Sequence, residues 1–112
     1  MQLEQLATYL EDLARTGKPT TYESIAARFG LPPLDGVWNA HPLSRAFDTL
    51  DREDAEARRP YRTSLVISKT RNMPGPGYFA SLAALKGVRP NKKKDEAAIF
   101  LEELKAATEY PW

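Results

Sequence analysis

Between Met73 and Tyr78 the chain reads Pro-Gly-Pro-Gly. Pro74 and Pro76 have no backbone N–H and hold φ at about −65°, so neither a helix interior nor a central strand runs through this tetrapeptide. Every element must end before it or start after it. The residues ahead of it include Leu65, Val66 and Ile67 in "YRTSLVISK", which predicts a strand across residues 61 to 69. Behind it, Tyr78 and Phe79 predict either the start of a return strand or an aromatic anchor at the entry to the short helix "ASLAALKG".

The chain ahead of the strand is helical by its apolar periods. Leu3, Leu6, Leu10 and Leu13 predict a helix over residues 2 to 15, stopped by Gly17 and Pro19. Thr20 and Glu23 have capping-box spacing before Ile25, Ala26 and Phe29, and Gly30 suits the C-terminal cap. "LPPLDGVWNAHP" reads as a loop, with Trp38 as a lid over the core and His41, before Pro42, as a helix cap or surface group. From Pro42 the period resumes through Leu43, Phe47 and Leu50, with acidic, solvated later turns. "DEAAIFLEELKAAT" predicts a last helix, with Asp95 and Glu96 at its positive N-terminal end. Its expected apolar stripe is Ala97 or Ala98, Leu101, Leu104 and Ala107 or Thr108. The aromatic tail Tyr110 and Trp112 is expected to fold back.

A chain of 112 residues is sized for one domain and one modest core. With no cysteine and one histidine it has no thiolate nucleophile or disulfide and too little for a His-based metal or triad site, so neither an enzyme nor a cofactor is expected. No apolar run has the length of a membrane span and no leader segment is visible, so a cytoplasmic location without membrane contact is expected.

The net charge of +1 conceals a sorting of charge along the chain. Residues 1 to 57 hold ten acidic and five basic residues, and residues 95 to 112 hold five acidic and one basic. Residues 58 to 94 hold ten cations and no acid: Arg58, Arg59, Arg62, Lys69, Arg71, Lys86, Arg89, Lys92, Lys93 and Lys94. Clustered cations of this kind form a surface that attracts polyanions, unless they complement the acidic segments within the fold.

Three helices followed by a ribbon give the order of a winged-helix domain, in which the third helix enters the major groove and the wing reaches the backbone. The expected class is therefore α+β, mainly α: a winged helix-turn-helix with a short two-stranded wing and a C-terminal helix. Its parts are residues 1 to 19 (N-terminal helix), 20 to 57 (helix-turn-helix), 58 to 80 (strand and wing) and 81 to 112 (C-terminal helices). "KTRNMPGPG" becomes the wing tip, stiffened by proline and turned by glycine.

The order "TTYESIA", "SRAFDTL" and "VISKTRNMPGPGY" resembles the C-terminal winged-helix domain of O6-alkylguanine-DNA alkyltransferases and alkyltransferase-like proteins. That resemblance implies a phosphate contact for Tyr22 and a DNA-entering role for Arg45. The alkyl-accepting Cys and its His are missing, since "TSLVISK" stands in place of their strand. "LVISKTRNMPGPGYF" and the ending "YPW" also resemble a group of small uncharacterised bacterial proteins with the pattern L-V-V-N-K-x-T-G-x-P-G-x-G-F and an aromatic tail. That group has no activity to carry over.

The expected function is non-enzymatic binding of duplex DNA by a regulator or accessory factor. Its expected contacts are Tyr22, Arg45, Arg58, Arg59, Arg62, Lys69, Arg71, Asn72, Lys92, Lys93 and Lys94. The alternative is a protein-interaction module of the same fold that docks an acidic partner.

Overall fold

The computed structural model describes residues 1 to 112. Helix α1 (Leu3–Thr16) places Leu6, Leu10 and Ala14 on its buried face and ends at Gly17, whose left-handed φ of 72° lets its N–H return to the carbonyls of Leu13 and Ala14. Strand β1 (Thr20–Thr21) leads into helix α2 (Tyr22–Arg28). The cap is one residue later than the capping-box spacing implies: the Thr21 hydroxyl, not that of Thr20, accepts the N–H of Ser24.

Helix α3 (Pro42–Glu56) starts as its sequence predicts, with proline in the first turn and His41 as cap: His41 Nδ1 accepts the N–H of Leu43 at 3.1 Å. A 3-10 turn (Arg62–Leu65), strand β2 (Val66–Ile67), helix α4 (Pro76–Ser81) with a π-turn at Leu82–Lys86, and helix α5 (Glu96–Glu109) complete the chain. No helix is long and apolar enough to cross a membrane.

The mainly helical α+β class holds, and the two-stranded wing does not. Strand β2 is two residues long and pairs in parallel with β1, Thr20 opposite Val66 and Thr21 opposite Ile67. Residues 62 to 65 turn instead of extending, because the Arg62 N–H and guanidinium are held by the Asp54 carboxylate. No return strand follows. Pro76 occupies a helix N-terminus, where its missing N–H costs nothing, and the helix buries Tyr78 and Phe79. The loop expected between the second and third helices is long: residues 29 to 41 connect α2 to α3, against about 3–4 residues in a compact helix-turn-helix.

Two apolar clusters carry the fold. The larger joins α1 to Ile25, Leu43, Phe47, Leu50, Leu65, Val66 and Ala107. The smaller holds Tyr61, Tyr78, Phe79, Leu82, Ile99 and Phe100, and Leu104 packs against both. Helix α5 therefore buries Ile99, Phe100 and Ala107; Leu104 and Ala107 of the expected stripe face the core, whereas Leu101 is 60% exposed. Turning the helix this way removes a phenyl ring and an isoleucine from water in place of one leucine.

The later turns of α3 are not solvated throughout. Asp51 and Asp54 lie on the buried face, continuing the row of Leu43, Phe47 and Leu50. Asp54 accepts the Arg62 N–H at 2.9 Å and pairs with Arg59 at 2.5 Å and Arg62 at 2.9 Å. The Arg62 guanidinium also reaches Glu11 at 3.0 Å and Glu53 at 3.2 Å. The aromatic tail closes over this cluster: Trp112 Nε1 donates to the Ala107 carbonyl, and its ring lies 5.8 Å from both Arg59 and Arg62. Burial works against the Arg62 charge, but the surrounding carboxylates outweigh it and raise its pKa.

Candidate functional site

The Pro-Gly-Pro-Gly segment forms one wall of a cleft of about 350 Å³. Facing it are Tyr22 from the start of α2, Trp38 from the long connection, and Ser44, Phe47, Asp48 and Asp51 from α3. Thr63 and Tyr78 complete the lining from the segments on either side of the proline loop. The Tyr22 hydroxyl accepts the N–H of Gly75 at 2.8 Å, which ties the loop to α2. The backbone at Gly77 runs beside the indole, where a Cβ would meet Trp38 Nε1 at 3.5 Å, an ordinary van der Waals contact.

The aromatic walls brace one another. Tyr22 and Trp38 meet edge to face at 5.5 Å, and Phe47 is 6.0 Å from each. Trp38 stacks on His41 with ring centroids 6.0 Å apart, and His41 Nε2 lies 2.8 Å from the Pro32 carbonyl. Since His41 Nδ1 accepts from Leu43, Nε2 carries the proton and donates to Pro32. Trp38 is thus both lid and wall, held in place by the residue that caps α3.

Asp51 is the unusual group. Its carboxylate is 3% exposed, accepts the Thr63 hydroxyl at 2.6 Å, and carries no counter-ion. Burial pushes its pKa up to about 7; hydrogen bonds from Thr63 and Ser81 oppose the rise, and the charges of Asp54 and Asp48 add to it. Burial likewise raises Tyr22 and Tyr78, so their hydroxyls stay neutral. Tyr78 shares a 2.7 Å hydrogen bond with Ser64. No lysine or arginine lines the cleft.

The basic residues lie elsewhere, and four of the ten in residues 58 to 94 are in intramolecular ion pairs. Arg59 and Arg62 hold Asp54, Lys86 pairs with Glu103 at 2.7 Å, and Lys94 pairs with Glu102 at 2.7 Å. Arg62, 3% exposed, is a structural ion and not a surface contact for a polyanion. The remaining six, Arg58, Lys69, Arg71, Arg89, Lys92 and Lys93, are exposed and form no ion pair.

Lys69 and Arg71 sit on a tight loop closed by Asn72 N–H to Ser68 carbonyl at 2.9 Å and Ser68 N–H to Met73 carbonyl at 2.8 Å. Asn72 takes φ of 55° there, a conformation that asparagine tolerates better than most residues. Arg45 is exposed near the start of α3. Lys92 and Lys93 are exposed on a turn where the Asn91 side chain accepts the N–H of Lys93 at 2.8 Å. Tyr22, expected at a phosphate, instead directs its hydroxyl to Gly75.

Of the residues expected from sequence to contact DNA, only Tyr22 lines the cleft. One signal for the rest was available: Asp51 and Asp54 fall in the apolar phase of α3, and an acid in that phase requires a partner or a purpose. Compared with protein-family models, curated proteins and solved structures, the chain matches none.

Proposed function

We propose that the chain is a non-enzymatic duplex-DNA-binding protein that contacts the phosphate backbone through the loop carrying Lys69 and Arg71. The observation that carries this reading is the pairing pattern of the cations. Lys69 and Arg71 are exposed and unpaired on a loop braced at both ends, by its own backbone hydrogen bonds and by Tyr22 at Gly75. A braced loop loses little conformational freedom on meeting a phosphate, so its charges are used efficiently. In this reading the loop takes the place of a wing without being a hairpin. Helices α2 and α3 act as a helix-turn-helix with an extended connection, and Arg45 is the side chain placed for a groove. Arg58, Arg89, Lys92 and Lys93 add to the field that steers DNA to the surface.

The test is a salt titration of binding to a fluorescent duplex. Lys69→Ala with Arg71→Ala is expected to weaken binding alike on different sequences and to lower the salt slope by about 0.9 per lost phosphate contact, roughly two units in all. An unchanged affinity and slope in the folded double variant overturns the reading, and the free cations are then better explained by an acidic protein partner.

A further inference from the structure

The cleft has the opposite electrostatic character to the loop beside it. Its only charged side chains are Asp48 and Asp51, so a phosphate or carboxylate ligand is repelled. Its walls are the rings of Tyr22, Trp38, Phe47 and Tyr78, and the Tyr22 and Trp38 rings stand nearly perpendicular, at 79°, forming a corner. Ring faces carry negative charge density and attract cations, most strongly where water is excluded. The buried Asp51 carboxylate in the same cleft supplies the counter-charge that a desolvated cation requires.

We propose that this cleft is a binding site for a small organic cation, an alkylammonium or quaternary ammonium group, held in the Tyr22–Trp38 corner with Asp51 as its counter-charge and Asp48 at the mouth. The proposal goes beyond DNA binding and does not rest on it. A metal ion is a poor occupant. Divalent calcium or magnesium takes about six oxygen ligands, and no group of three potential metal-ligating side chains occurs anywhere in the molecule. A neutral aromatic ligand uses the walls but leaves the buried Asp51 uncompensated. An organic cation uses both. The volume of about 350 Å³ also accommodates a body attached to the ammonium head.

Occupancy is linked to the protonation of Asp51. The groups facing it are Asp48 and Asp54 on its own helix, Thr63 and Ser81 as hydrogen-bond donors, and the neutral hydroxyls of Tyr22, Tyr61 and Tyr78. Arg59 and Arg62 are committed to Asp54. A cation in the cleft therefore favours the ionised carboxylate and expels its proton, so binding tightens as pH rises through the neutral range.

The test uses choline and its neutral isostere 3,3-dimethylbutan-1-ol, titrated by calorimetry and by the indole N–H signal of Trp38. Choline is expected to bind about tenfold more tightly than the isostere at pH 8. It should lose a similar factor in Asp51→Asn and several-fold in Asp48→Asn, an exposed position whose substitution spares the fold. Affinity should fall between pH 8 and pH 6. Three outcomes overturn the proposal: no choline binding at tens of millimolar, equal binding of choline and the alcohol, or choline binding unchanged in both folded aspartate variants. Binding of neutral nucleosides in place of choline overturns it as well, and identifies the cleft as a base pocket.

Discussion

Replacing Asp51 with asparagine is expected to stabilise the protein at pH 8 and not at pH 4. The folded environment moves this carboxyl from 3.8 to about 7. Between these values the native state binds more protons than the unfolded chain, so native stability falls as pH rises from about 4 to about 7 and is flat above. Roughly three units at about 1.4 kcal/mol each give about 4 kcal/mol as the full burden of the ionised group. Asparagine carries no such burden, and its carbonyl can still accept the Thr63 hydroxyl that lies 2.6 Å from the present carboxylate. Its amide must find an acceptor of its own, which reduces the net gain to about 2–3 kcal/mol at pH 8. Urea unfolding of both proteins from pH 4 to pH 9 measures this directly, because subtracting the two curves cancels every other titrating group. At pH 4 the amide alone should leave the asparagine variant about 1–2 kcal/mol less stable, and the difference should swing in its favour by about 4 kcal/mol through the neutral range. A difference that is flat, or that swings the other way with rising pH, refutes the argument that Asp51 is held as a costly charge.

The buried arginine gives the contrary case. Arg62→Ala is expected to cost about 3 kcal/mol in urea unfolding at pH 7, the lower part of the range for breaking a buried pair, since Arg59 still neutralises Asp54 at 2.5 Å. A cost below about 1 kcal/mol would show that Arg59 suffices alone. Tyr22→Phe removes the acceptor of the Gly75 N–H and should cost about 1 kcal/mol, because Gly75 is partly reached by water. Hydrogen exchange at the Gly75 amide should accelerate, and an unchanged rate would mean that the loop is held by packing alone.

What could be read in advance divides by range. The helices were legible because their apolar periods and caps are local: Leu3 to Leu13, Pro42 after a capping residue, and Asp95 accepting the N–H of Ala98. The ribbon was misread because β-branched residues report only that a segment is extended or buried, and Leu65 and Val66 are fully buried in a turn and a two-residue strand. Its partner, Thr20 and Thr21, lies far away in sequence and leaves no local mark. The charge block was equally ambiguous. Arg62 and Lys69 look alike in a sequence, yet one is locked among three carboxylates and the other is free. The cleft stayed hidden because each of its walls has an ordinary local explanation, and only their convergence makes a site.

The pairing of β1 with β2 has a kinetic consequence. A hairpin wing is a local unit that can form early and fray alone. Here Thr20 meets Val66, a sequence separation of 66 − 20 = 46 residues, and Tyr22 meets Gly75 across 75 − 22 = 53. Such closures form late in folding, after their loop entropy has been overcome, and are lost only when much of the molecule opens. The cleft between them is assembled only where these distant segments meet. A molecule bound there is gripped by the whole chain, so its binding free energy is added to the global unfolding free energy. A protease that cuts only unfolded chains would thereby register whether the cleft is occupied.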